Sequence, residues 1–132
     1  MAGVSAASAV LAGRAAAERN MLDAATVTTT SRTVDPNTGA EVTISTLVHT
    51  GRCKVQQSGS QEATPEAGGA TFTVQRSEVH FPVGAFVPAV GQVITVTAAT
   101  LDPLLIGRVF RVVALLHKSA ATAYRLAVSE VV

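Results

Sequence analysis

ATVTTTSRTV-DPNTG-AEVTISTLV, residues 25–48, is the stretch that decides how the rest of the chain is read. Its two outer runs are rich in Thr, Val and Ile, side chains that suit a pleated, half-buried surface. In the second run Val42, Ile44, Thr46 and Val48 recur at every other position. Between the runs stand Asp35, Pro36, Asn37 and Gly39, each favouring a turn for its own backbone reason. Two alternating runs around such a turn predict a β-hairpin.

Working forward, Gly51 is expected to end the second strand. RCKVQQ (52–57) then forms a short third strand with Cys53 and Val55 inward. In ATFTVQRSEVHFPV (70–83) the apolar phase switches, Phe72 and Val74 sharing one parity and Val79 and Phe81 the other. A switch within one strand predicts a bulge, a bend or two buried faces. Pro82 and Pro88 mark its exit. GQVITVTAA (91–99) is a further strand. TLDPLLIG (100–107) has the order of a one-turn helix, with Asp102 as N-cap, Pro103 at the first position and Gly107 at the stop. GRVFRVVALLHK and TAYRLAVSEVV form a closing antiparallel pair, with Phe110, Val112 and Leu116 on one face and Leu126 and Val128 on another. No repeat and no βαβ alternation occurs. The expected fold is mainly β: a small antiparallel β-barrel of about seven strands, with an N-terminal α-helix and one long loop.

Working backward, residues 4–22 are Ala-rich helix material with Leu, Arg, Glu and Met. Ala7, Leu11, Ala15 and Leu22 fall near one face, Val10 and Met21 flank it, and Arg14 and Glu18 are spaced as an i, i+4 pair. The stripe is thin and made of small side chains, so such a helix caps its own barrel or packs on a neighbouring molecule. Ala7, Val10, Leu11 and Arg14 are the candidate subunit contacts. The start of the chain lacks a basic n-region, and no signal peptide is expected. The whole reads as one domain, 1–132, with the helix over 1–23 and the barrel over 24–132.

At 132 residues the chain is long enough to bury a sizeable core. Its hydrophobic fraction is 48% and its charged fraction 14%, much of the apolar share being Ala and Val. A low charge density suits a surface that meets other subunits, because interface cores are depleted in charge. The net charge of +1 excludes a strong electrostatic claim on nucleic acid. Arg108, Arg111, Lys118 and Arg125 follow one another without an acid until Glu130, and four cations so spread decorate solvated strand faces. No run approaches the roughly 20 apolar residues of a membrane span.

Chemistry-bearing residues are scattered. His49, His80 and His117 are far apart and none belongs to a metal-spaced pair. Asp35 and Asp102 each precede Pro, as turn and cap residues do. Cys53 is the single cysteine and falls on an apolar strand position, where it packs as a small core residue. There is no glycine-rich phosphate loop and too few aromatics for a base-stacking platform. The sequence points to no enzyme, no cofactor, no metal, no membrane and no small-molecule ligand.

One segment stands apart. QSGSQEATPEAGGA (57–70) contains no Val, Ile, Leu, Met or aromatic residue. Loops beyond about 12–15 residues are uncommon in compact domains and are functional or disordered. The candidate channel or intersubunit loop is Ser58, Gly59, Ser60, Gln61, Glu62, Ala63, Thr64, Pro65, Glu66, Ala67, Gly68 and Gly69. It bears two carboxylates, at Glu62 and Glu66, and no Lys or Arg, so it repels rather than grips a phosphate backbone.

The order of these pieces carries a resemblance. GRAAAERNMLDAATV (13–27), the DPNTG turn, HTGRCKVQQ (49–57), SEVHFPV (77–83) and LIGRVFRVVALLHKSAATAYRLAVSEV (105–131) together resemble the head-closure, or head-to-tail stopper, proteins of actinobacterial tailed phages. The resemblance spans nearly the whole chain, and it rests on order and spacing because no single piece is specific. It implies a homo-oligomeric ring below the portal and adaptor rings of the virion, assembled in the host cytoplasm. Such a ring offers a surface to the tail terminator or tail tube and retains packaged DNA, which it meets by proximity alone. The rival readings are a tail terminator or minor tail ring, which should interleave more helix with its strands, and an OB-like binding barrel, which should show a basic or aromatic strand face.

Overall fold

The computed structural model describes residues 5–63 and 72–131, with 58–63 and 72–76 given by their backbone. One α-helix, α1 (Ala6–Arg19), precedes six strands: β1 (Asp23–Val34), β2 (Glu41–Ala63), β3 (Phe72–Phe81), β4 (Val93–Ala99), β5 (Val109–Leu116) and β6 (Tyr124–Glu130). The strands close an antiparallel barrel in the order β1-β2-β3-β6-β5-β4.

The predicted turns form with the expected chemistry. The Asp35 Oδ1 accepts from the Asn37 N–H at 2.8 Å, and Gly39 takes φ 69°, a left-handed conformation open to glycine. The helical turn at Pro103–Leu105 is of the 3-10 type, capped by Asp102 Oδ1 accepting from the Leu104 N–H at 3.1 Å.

The core follows from a period of two kept by each strand. Ala25 and Val27, Cys53 and Val55, Val79 and Phe81, Ile94 and Val96, Phe110 and Val112, and Leu126 and Val128 point inward as i, i+2 pairs. Closure leaves these side chains with no edge to escape by, and each fully buried Val, Ile, Leu or Phe among them stabilises by about 1.5–3 kcal/mol. The connection from β3 to β4, which are not neighbours in the barrel, carries Phe86 onto the core. Buried Gln92 ties that connection down: its Oε1 accepts from the Ala89 N–H at 2.9 Å and its Nε2 donates to the Val87 carbonyl at 3.1 Å.

Several expectations are corrected. There are six strands among the described residues rather than seven, because β2 runs unbroken through Gly51. Gly51 is a place of close approach: a Cβ there would lie 2.9 Å from His49 Nε2. That ring is held by stacking on Phe86 at 5.1 Å and by the edge-to-face contact with Phe81 at 5.9 Å. Gly51→Ala is therefore expected to cost about 1–3 kcal/mol by overpacking. The cost should vanish in a His49→Ala background, a coupling that a double-mutant cycle by denaturant unfolding reads directly.

Leu116 does not share the face of Phe110 and Val112. A register shift between Val112 and Ala114 advances the phase, so Leu115 packs on the core and Leu116 is exposed. At the helix, Met21 is buried and Leu22 exposed, the reverse of the helical extrapolation, because α1 stops at Arg19. The phase switch in β3 does meet an irregularity, a shift in the β2–β3 register between Ser58 and Gln61.

Candidate functional site

The surfaces available for function arise from the unequal lengths of the strands. β1 pairs with β4 only over Asp23–Thr28, and β2 pairs with β3 only from Lys54 onward. Between them, Thr29–Val34 and Glu41–Thr46 form a two-stranded ribbon beyond the barrel. Thr29, Ser31 and Thr33 keep the parity of the core residues Ala25 and Val27 and lie opposite Thr46, Ile44 and Val42. The face that is core inside the barrel thus continues along the ribbon, where Val42 and Ile44 are exposed. Val34 and Leu47, 66% and 63% exposed, belong to the other face.

A second ribbon leaves from the far end of β2. β3 pairs with β6 only over Ser77–Phe81, while Phe72–Arg76 and Ser58–Ala63 pair with each other. Because β2 is one strand of 23 residues shared by both ribbons, they extend from opposite ends of it. Two-stranded ribbons are marginal in water on their own, and open strand edges are templates for further pairing.

This corrects the expected loop over 58–69 in its first half, 58–63. The backbone of Ser58, Gly59, Ser60, Gln61, Glu62 and Ala63 belongs to β2. The six residues Thr64, Pro65, Glu66, Ala67, Gly68 and Gly69 lie outside the described residues. The absence of large apolar side chains hides such a strand from a reading of hydrophobic period, since cross-strand pairing needs no apolar side chain.

The helix is seated on its own chain. Arg14 Nε donates to the Ala121 carbonyl at 3.0 Å, and a Cβ at Gly13 would lie 2.8 Å from Thr122 Cγ2. Arg14 and Glu18 are not among the ion pairs of the described residues. No residue of α1 is buried, and Leu11 is 62% exposed. Ala7, Val10, Leu11 and Arg14 nonetheless line one open depression, together with Ala6 and Ala120. The four are brought together, three of them as an apolar surface and Arg14 as the anchor beneath it.

Of the chemistry-bearing residues that the structure describes, Cys53, His49 and His80 take separate places in the register. Cys53 is fully buried, and burial first and the Asp23 carboxylate second push its thiol up to about 12. Such a thiol is almost wholly protonated at neutral pH and is a poor nucleophile. His49 is locked among aromatic rings with its Nε2 buried and without a hydrogen-bond partner among the described residues. His80 Nε2 donates to Glu78 Oε2 at 3.0 Å on the outer face of the barrel. No group of three or more His, Cys, Asp or Glu among the described residues is placed to hold a metal. No helix among them is long and apolar enough to cross a membrane. Sequence reading missed the row that Lys54, His80 and Arg125 form across three strands, since only the register reveals it.

The fold and its surfaces define a small closed barrel with two strand-paired extensions and an amphipathic helix laid on one side. The chain belongs to the DUF6093 family, a family of unknown function, whose model matches residues 13–129. No curated protein matches it.

Proposed function

We propose that this chain is a structural ring protein of a tailed-phage connector, a head-to-tail stopper that sits below the portal and adaptor rings. The observation that carries the reading is the continuation of β2 past the closed barrel at both ends. The two ribbons present open edges, and the first also presents exposed Val34, Val42, Ile44 and Leu47. A repeated head-to-tail contact through one patch and a different patch generates a ring when the rotation closes. A ring subunit needs such unlike surfaces, and the ribbons and the α1 depression supply them.

The sparse charge and the resemblance to head-closure proteins support the same assignment. The tail-terminator alternative is less favoured, because the single α-helix of the described residues precedes every strand. In the stopper reading the sequence 58–69 contributes to the channel, where Glu62 and Glu66 disfavour adhesion to passing DNA. The protein works at the head–tail junction of the virion, and its partners are its own copies, the adaptor or portal ring and the tail. Deleting 60–67 is expected to leave heads that leak their DNA, measured as nuclease-sensitive DNA in purified particles. Deletion particles that hold DNA as well as the parent remove the channel role.

A further inference from the structure

Lys54 stands directly opposite His80, and His80 directly opposite Arg125. Opposed residues on neighbouring strands have Cβ atoms about 4.5–5.5 Å apart, so three basic side chains share one row across β2, β3 and β6. The row lies on the outer face, since the adjacent Cys53, Val79 and Leu126 point into the core. Lys54 and Arg125 place two cations on either side of the His80 ring, and like charges brought close are destabilising, so the row calls for a counter-charge. One carboxylate is at hand: Glu78, which accepts from His80 Nε2 at 3.0 Å. Elsewhere Arg32 and Arg108 lie within 4 Å of Glu41 and Glu130, whereas Lys54 and Arg125 have no carboxylate partner among the described residues.

The row does not open onto a flat surface. Ala17 of α1 and the following Asn20 and Met21 border it, forming a half-open cleft of about 250 Å³. The floor is well covered, with the His80 and Glu78 side chains only 12% and 24% exposed. Asn20, Gln56 and Thr122 add neutral hydrogen-bond donors to the wall. At the helix end the Ala17 and Glu18 carbonyls accept from the Asn20 and Met21 N–H groups.

We propose that this cleft binds a single tetrahedral oxyanion of the phosphate or sulfate type, held by Lys54 and Arg125 with His80 at the floor. Charge-assisted hydrogen bonds from such a fork are the strong ones. A cleft of about 250 Å³ has room for such a group. The bound anion ties α1 and the 121–123 segment to the barrel wall and performs no reaction. The inference stands apart from the ring reading, since it rests on register, charge and the cleft of a single chain.

The test is thermal unfolding of the full chain at neutral pH in inorganic phosphate against sodium chloride of equal ionic strength, repeated with sulfate. At about 10 mM phosphate the midpoint should rise by roughly 3–6 °C. Lys54→Gln and Arg125→Gln, both at outward-facing positions, should each lose most of the rise once far-UV circular dichroism shows the variant to be folded. Glu78→Gln should enlarge it, because it removes the competing carboxylate and keeps an acceptor for His80. Broadening of the 31P resonance of phosphate by the parent chain, absent in the two cation variants, reports binding without reference to stability. Equal midpoints in phosphate and chloride overturn the proposal, as does a phosphate effect that both cation variants retain.

Discussion

Phe81→Ala is expected to lose roughly 3–5 kcal/mol of folding stability, from a domain whose total is about 5–15 kcal/mol. Phe81 is fully buried and is among the largest side chains of the core. It meets Phe86 edge-on at 4.9 Å and His49 at 5.9 Å, so one ring joins β2, β3 and the crossing connection after β3. Its neighbours on the barrel wall are held by their own strand pairs and cannot collapse into the space. Removing the ring therefore leaves both a lost transfer term and a cavity. Chemical denaturation reads the effect as a fall in midpoint. Phe81→Leu, which fills most of the volume, should recover the larger part. A loss below about 1 kcal/mol for the alanine variant would mean that the barrel interior is not packed as described.

Alkaline pH should weaken the fold through Cys53. Its thiol is raised from 9.0 to about 12 by burial and, secondarily, by Asp23. The unfolded chain ionises first, so the contribution is complete below pH 9 and is lost progressively as pH rises toward 12. A separation of this size corresponds to at most about 4 kcal/mol at the top of that window. The comparison that isolates it is Cys53→Ala, which loses a little packing at every pH but lacks this slope. Stability measured by denaturant from pH 8 to pH 11 should diverge between the two chains in the parent's disfavour. At pH 8 the same burial should make alkylation of the parent thiol follow the rate of opening of the barrel. Parallel curves, or rapid alkylation of the folded chain, would show the thiol to be accessible.

Much of the barrel was legible because its signals are local. DPNTG and DPLLIG announce their turns through side chains that bond their own backbone, and both form with those bonds. Cys53, Phe81 and Leu126 could be placed inward from parity alone, since a strand fixes the face of each residue once its phase is known. What could not be read is what depends on a neighbour in space. Gly51 looked like a stop because the His49 ring that fills its missing side-chain volume is held in place by Phe81 and Phe86, far along the chain. Parity alone puts Leu116 on the wrong face, because a register shift takes one residue and leaves no mark in composition. Ser58–Ala63 read as loop because a ribbon beyond the barrel has no core to demand apolar alternation. The same limit hid the row of Lys54, His80 and Arg125, whose members come from three strands.

The helix teaches a related point. Its thin stripe allowed either a cap on its own barrel or a contact with another copy, and the structure places Arg14 and Gly13 against 121–122 of the same chain. The exposed Leu11 side remains available to a second molecule. In the ring proposed above, one face of the helix would hold its own barrel and the other would be offered to a neighbouring copy.

The proposal that the chain is a ring subunit at the head–tail junction is tested most directly by cryo-electron microscopy of complete tailed particles made from the genome that encodes it. The barrel, recognisable by its six strands and two opposed ribbons, should appear in several rotationally related copies around the DNA channel between portal and tail. Particles whose neck is fully accounted for by other chains, with this one absent, would contradict the assignment.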